Sequence, residues 1–574
     1  MPWVFVLLVA LVLPSLSRAD APLPNLRTLN FYLPAEFLSL PCDAQIEIRG
    51  AYNSYAGSES VFGRKWTFNY NVKVEPGISF FEIIEGDGFR NRYNRERNLE
   101  EANRALVETI LVEVRKQDAQ RGSLRENRVY EEMRTRLLSD RAMREAEAQR
   151  LITTARPLGP GTYYSLARGR SSLVKKEDES FERDFQDGSR QFFDRQGRLV
   201  RSEDRNRNRL DFIYQGNQLV RINDSCGGWV RLDYYPEGPR AGLIRSLTDS
   251  LERQVSFEYD EARHLIAVNG PDGRTRGFRY NAQSNMTRLT DSSEAKHNFE
   301  LAYNQAQEVE RKTGPGNRVI RFTRTFVGED RNHSITEVVY FNGETRDRRE
   351  THEFKLEDFE QVSRYNAQNE QVSRTTRRLS PTTGFVASET DQQGRGFAFE
   401  YDATGRVTKR EALPSGETLV FRYGDRCQFP TGMDRKREGR PTIEIEFRFD
   451  PRCNLTRVVE KEGDKVTREI ELRNNDKGRP SFMIDNTRNQ ALAFEYWKGK
   501  PSSISLRDVG TLRVAYLPNG EFGQVTVEPH GKAVKRFEGQ EAHQYQPIIL
   551  SEVRAAIEYY RNNYLRPAGL EIGI

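Results

Sequence analysis

One nine-residue phrase recurs along this chain and confines it to a repeat architecture. It reads "FEYDEARHL" (257–265), "FRYNAQSNM" (278–286), "FEYDATGRV" (399–407), "FRYGDRCQF" (421–429) and "FRFDPRCNL" (447–455). Aligned on the aromatic before the turn, Phe193, Tyr214, Tyr234, Tyr259, Tyr280 and Tyr303 follow one another at steps of 21, 20, 25, 21 and 23 residues. A second run holds Tyr401, Tyr423, Phe449, Tyr496 and Tyr516, with Asn474 in the aromatic slot of "LRNNDKGRP". Spacing near twenty residues is the period of one supersecondary unit that must stack on its neighbours to bury a core.

Within a unit the period is two: Phe399 and Tyr401 on one side, Ala398 and Glu400 on the other, as in a half-buried strand. Asp402 to Gly405 supplies turn chemistry, since Asp bonds the backbone that follows and Gly accepts positive φ. "RVTKRE" returns and "PSGE" turns again, so each unit reads as a β-hairpin. A lone hairpin cannot bury its aromatics, which makes the Phe and Tyr positions, Phe399 included, the expected shared core of one long sheet. The turns of 304–394 do not follow the pattern, and this segment is expected to be irregular.

"YDATGRV" and "FDRQGRLV" (193–200) resemble the RHS or YD-repeat family, whose units carry Tyr-Asp followed by x-x-Gly-Arg. Other copies drift, with Gln307 in "YNQAQEV" and Cys453 in "FDPRCNL" at the Gly position. "IRGAYNSYAGSESVFGRKWTFNYNVKVE" (48–75) resembles the opening of the N-terminal domain of RHS proteins. The resemblance implies hairpins spiralling into a β-shell or an open curved sheet. It also implies surface glycans, envelope proteins or a separately encoded cargo as partners. In some members paired aspartates after the repeats release a C-terminal toxin. The last Asp here is Asp508, so a scaffold without a toxin domain is expected.

Around the repeats the composition changes. Residues 1–19, with an apolar run from Trp3 to Leu13 and small residues Ser17 and Ala19, read as a signal peptide cleaved after Ala19. That predicts export to a periplasm, cell surface or medium. No later run reaches the ~20 apolar residues of a membrane span, so no integral membrane protein is expected. Residues 20–92 are expected as the N-terminal β domain, 93–155 as a charged helical insertion, and 156–190 as a connection back to β. The repeats follow over 191–540. In the insertion, Leu99, Ala102, Leu106, Ile110 and Val114, then Val129, Met133, Leu137 and Ala142, predict two amphipathic helices around a break at Gly122-Ser123. Its 13 basic and 12 acidic residues make a solvated outer face. Residues 541–574 place Ile548, Val553, Ile557, Tyr560 and Tyr564 on one helical face, read as a cap.

A net charge of +5 with 30% charged residues interleaved in sign argues against a nucleic-acid partner. Six His at 264, 297, 333, 352, 530 and 543 show no metal-binding spacing, so no metal, cofactor or catalytic residue is expected. Ser172–Lys175 and Lys312-Thr313-Gly314 match two penicillin-binding signatures, but the third is missing. Cys427 and Cys453 share a register; like positions two strands apart stand roughly 9–10 Å away. That exceeds disulfide reach unless the turns lean together, while an oxidising compartment favours a bond. The resemblance thus implies an exported, non-enzymatic RHS-repeat scaffold of the bacterial envelope or cell surface, acting in adhesion, carbohydrate or protein binding. The alternatives are a carrier shell for a separate toxin or effector and, third, a glycan-acting enzyme.

Overall fold

The computed structural model describes residues 22–538, apart from short gaps at 58, 78–79, 96–98, 152–157, 166–168, 381–383, 403 and 532. The expected signal peptide and the expected C-terminal helix lie outside the described residues. The chain divides into two compact units, residues 1–68 with 206–574 and residues 69–205. The fold is mainly β, built from long antiparallel hairpin repeats with a few helices.

In the first unit every strand from Arg209–Gln215 to Lys535–Glu538 pairs antiparallel with the next in sequence. Segment 304–394, expected to be irregular, continues this meander with longer strands such as Asp330–Asn342 and Thr345–Lys355. Its turns escaped the repeat pattern because the strands outgrow the twenty-residue period.

Each repeat aromatic sits at a β-bulge. Tyr259 pairs with Leu265 while its neighbour Glu258 pairs with Ala267, and the same shift recurs at Tyr280, Tyr303, Tyr401, Tyr423, Phe449, Tyr496 and Tyr516. Successive hairpins meet through short ladders; Ala267–Asn269 against Thr275–Gly277 is three pairs long. Beyond that ladder the strands part, and the tyrosine hydroxyl bridges the gap. Tyr280 donates to the Leu265 carbonyl (2.8 Å), and Tyr234, Tyr259, Tyr303, Tyr401, Tyr423, Tyr496 and Tyr516 donate likewise to the preceding hairpin at 2.7–3.0 Å. Asn474 keeps the bond with its amide, to Leu455 O at 3.0 Å. Phe449 has no hydroxyl and stacks on Phe429 instead, centroids 5.8 Å apart. The repeat therefore asks for Tyr because a ring and a donor are needed at one point. Of these aromatics, Phe193 in the second unit and Tyr259 are buried, and the others are half-buried.

The turn chemistry is equally regular. Asp402 Oδ1 accepts the Thr404 and Arg406 amides, and its Oδ2 accepts Arg406 Nε at 2.7 Å. The same Asp–Arg contact recurs at 194–198, 249–253 and 391–395. The fourth position is left-handed whether it is Gly405 (φ 84°) or a substitute such as Gln307 (61°) or Cys453 (62°). Burial opposes ionisation of Asp402, but the hydrogen bonds from Thr404 and Arg406 outweigh it and bring the carboxyl down to about 2. A depressed folded-state pKa stabilises above the unfolded value near ~3.9 and is lost as pH falls through it. Asp402→Asn is thus expected to remove about 2 kcal/mol at pH 7 and little at pH 2. Urea titrations at both pH values check this; equal losses would mean that the carboxylate charge has no part.

The strands Tyr32–Leu40, Ile46–Asn53 and Trp66–Phe68 form a small sheet laid on the aromatic face of the repeats. Phe31 meets Phe299, Phe37 meets Phe257 and Trp66 meets Phe278, at centroid distances of 5.3, 5.1 and 5.4 Å. A second apolar cluster runs from Leu419 to Val525.

In the second unit, Lys73–Pro76, Phe81–Ile84 and Arg90–Tyr93 form one sheet, and the strands from Gly161–Ser165 to Leu199–Glu203 form a further meander. The expected N-terminal domain 20–92 is therefore divided after Phe68, and the expected connection 156–190 is itself strands. Among the described residues three helices, α1 (Leu99–Gln120), α2 (Asn127–Ser139) and α3 (Arg141–Leu151), stand where two were expected. The second stretch breaks because Asp140 leaves helical geometry, and its Oδ1 accepts the Met143 amide as a cap for α3. Leu106, Ile110, Val114 and Leu137 are buried together, so the helices pack on one another. No helix among the described residues is long and apolar enough to cross a membrane.

Both cysteine pairs are bonded. Cys427–Cys453 closes with Cα atoms 5.7 Å apart. The loop between Tyr423 and its partner Pro430 is one residue longer than that between Tyr401 and Val407, which brings Cys427 off the regular register toward the next turn. The second bond, Cys42–Cys226, spans 184 residues.

Candidate functional site

The face of the repeat sheet opposite the aromatics carries a row of arginines. Arg279 stands directly across from Arg288, and Arg311 across from Arg321. Like charges directly opposite on a sheet repel, so such a row is costly unless something neutralises it. Arg288 has Glu300 at 3.6 Å, but Arg279 and Arg311 have no hydrogen-bond or ion-pair partner among the described residues. The three guanidinium groups, with Thr287, Glu300 and Thr313, line a pocket of about 260 Å³. It opens where the ladder between Met286–Asp291 and Phe299–Tyr303 ends after two pairs. The arrangement suits an anionic group with hydroxyls beside it.

The aromatic face changes character in mid-array. Between Val338 and Leu419 no hydrophobic side chain among the described residues is fully buried. Charge takes its place: Glu350 lies 3.2 Å from His352 Nε2, 3.6 Å from Arg364 and 3.8 Å from Arg348, whose guanidinium lies 3.7 Å over the Tyr340 ring. The His352 hydrogen bond, working against burial, holds the Glu350 carboxyl below its ordinary value. Further along, Arg377 joins Glu360 (3.4 Å) and Glu389 (2.7 Å). This half-open charged band lies in the segment where the repeat pattern failed, and long alternating strands rich in Arg and Glu were its only signal.

One hydrogen-bond series has the form of a catalytic triad. His264 Nδ1 is 2.8 Å from Asp260 Oδ2 and its Nε2 is 2.8 Å from Ser284 Oγ. The repeat explains it: His264 stands where other turns place Arg, and Ser284, at φ 62°, stands where others place Gly. Ser284 is 8% exposed, and Tyr52 donates to its carbonyl at 3.0 Å, so the serine is sealed under the N-terminal sheet. The two lysines of the penicillin-binding matches are engaged in packing. Lys312 donates to Pro22 O (3.1 Å) and Lys175 to Leu158 O (2.9 Å). Cys42, Asp224 and Cys226 cluster within 4.8 Å, but with the sulfurs joined they offer no thiolate to a metal ion.

No protein-family model and no curated protein matches this chain. Solved structures do. The chain is similar to a TcdB2–TccC3–Cdc42 crystal structure, with a TM-score of 0.41 at 10% identity over 66% of this chain and 26% of that one. A Photorhabdus luminescens Tc holotoxin pore carrying a TccC3 mutation gives 0.37 at 9% over 68% and 27%. A TcdB2–TccC3–TEV structure gives 0.33 at 10% over 92% and 28%. The chain thus spans about a quarter of the length of the structures it matches.

Proposed function

We propose that this protein is an exported, non-enzymatic hairpin-repeat scaffold of a cell envelope or surface, acting by binding glycan or protein. The arginine pocket at Arg279, Arg288 and Arg311 carries this reading: three cations converge there, and among the described residues only Arg288 has a carboxylate partner, Glu300. Arg279→Glu with Arg311→Glu is expected to weaken binding to an array of acidic and neutral envelope glycans at least tenfold for the acidic members. Unchanged retention of every glycan would overturn the surface-binding reading. A fluorophosphonate probe is expected to leave Ser284 unlabelled, and labelling there would overturn the non-enzymatic assignment.

The charged band from Tyr340 to Arg377 supports a second reading, a carrier whose aromatic face receives a separately encoded polypeptide. Native purification with intact-mass spectrometry separates the two. A second chain at fixed ratio, protease-resistant until the scaffold unfolds, supports the carrier; the scaffold alone supports the surface reading.

A further inference from the structure

The turn Asp224–Gly228 breaks the rule that a side chain answers the turn carboxylate. Oδ1 of Asp224 accepts the Cys226 (2.8 Å) and Gly228 (2.7 Å) amides as in the other turns. Its Oδ2 has no hydrogen-bond partner among the described residues, although Asp224 is only 8% exposed. Gly228 occupies the position of Arg406, and a Cβ there would fall 2.5 Å from that oxygen and 2.6 Å from Leu40. The space is filled by the chain leading to Cys42, whose sulfur is bonded to Cys226 with a carboxylate oxygen of Asp224 within 4.8 Å of both sulfurs. Burial pushes the Asp224 carboxyl up despite its amide bonds.

Residues 39–43 also touch both early and late turns of the repeat array. Ser39 O accepts Arg253 Nη2 (2.8 Å) in an early turn, and Asp43 pairs with Arg479 (2.6 Å) in a late one. Late Gly499 lies so close that a Cβ would stand 2.9 Å from Cys42 O. Beside this segment early and late turns meet directly: Asn206 and Asn454 exchange amide hydrogen bonds at 3.2 and 2.9 Å, and Asn208 donates to Lys477 O at 3.2 Å. Among the described residues no strand ladder spans this seam, and side chains and one disulfide hold it.

We propose that Cys42–Cys226 with Asp224 forms a redox-responsive clasp, which locks the first hairpins to the last and opens to a dithiol reductant. Cys226 is exposed and Cys42 is 5% exposed, so the reductant thiolate attacks the Cys226 sulfur. The S–S bond breaks, a mixed disulfide forms on Cys226, and Cys42 leaves as thiolate and takes a proton. The second reductant thiol then displaces Cys226, giving two protein thiols and an oxidised reductant. The Cys42 S–H finds the unpartnered Asp224 oxygen as its acceptor, which favours the reduced state. Release of this tie leaves polar contacts such as the Asp43–Arg479 pair, the asparagine pair and the Asn208–Lys477 bond to carry the seam.

The test is hydrogen exchange on the folded protein with and without dithiothreitol, the thiol state being verified by alkylation and mass. The clasp predicts uptake at least tenfold faster in residues 39–53, 204–228 and 450–480 after reduction, with strands 254–303 unchanged. Cys42→Ser with Cys226→Ser should reproduce the change; Cys427→Ser with Cys453→Ser, which joins neighbouring turns, should not. Unchanged protection of the seam with Cys42 and Cys226 alkylated would overturn the proposal, and so would uniform exchange of the whole unit, the behaviour of a plain staple. Asp224→Asn should raise the reduced-to-oxidised dithiothreitol ratio needed for half-reduction about tenfold, the worth of one strong hydrogen bond; an unchanged ratio would remove Asp224 from the clasp.

Discussion

Trp66→Ala is expected to lower the stability of the first unit by about 3–5 kcal/mol, the cost of truncating a fully buried large aromatic that its surroundings cannot refill. Trp66 is 1% exposed and wedged between Tyr52 (5.8 Å), Phe278 (5.4 Å) and Phe37 (6.1 Å). Its indole N–H donates to Tyr280 Oη at 3.1 Å, and that hydroxyl donates onward to Leu265 O. Truncation therefore opens a cavity and removes a donor from a buried oxygen that also bridges two hairpins. The measurement is the urea midpoint of the unit's transition, repeated on Tyr280→Phe and on the double variant. The two losses should fall short of adding by roughly 0.5–3 kcal/mol, because both changes break the same chain of bonds. A loss under about 1 kcal/mol would show that residues 32–68 rest on the repeats without being anchored by them.

The repeat was legible because its chemistry is local. Tyr259, Asp402 and Gly405 each announce a position whose geometry is set within a few residues, so strands, turns and pairing order follow from spacing. The bulge was not legible, since it shows only in which residue faces which across the hairpin. Nor was the role of the tyrosine hydroxyl, which acts on a carbonyl some fifteen residues back. Segment 304–394 hid its strands because longer hairpins stretch the period and Arg and Glu replace the aromatics on the face that elsewhere makes the core. The arginine pocket and the clasp depend on register and on contacts between distant turns. Cys42 and Cys226 lie 184 residues apart, and neither shares a motif with the other. Cys427 and Cys453 were visible as a pair because one repeat phrase carries both.

In the second unit, Glu85→Ala is expected to cost about 3–5 kcal/mol through the charge it strands. Arg183 is 3% exposed, its guanidinium 4.2 Å from the Phe185 ring centre and 5.5 Å from that of Tyr93. Glu85 meets it with both oxygens, at 2.6 and 3.1 Å, and Gln191 Oε1 adds a contact at 3.0 Å. Even so, Arg183 Nε is buried without a hydrogen-bond partner among the described residues. Taking two charges out of water costs several kcal/mol per ion, and the pair recovers this only while both members are present. Removing Glu85 leaves the cation facing neutral acceptors such as Gln191 in an aromatic pocket. Replacing both residues, Arg183→Met with Glu85→Leu, removes the desolvation cost together with the attraction, so the double variant should regain most of the loss. Hydrogen exchange in strands Phe81–Ile84 and Phe181–Phe185 reads the outcome directly. If the double variant stayed as unstable as the single one, the pair would be a net source of stability, and the half-satisfied guanidinium would be supported by the rings around it.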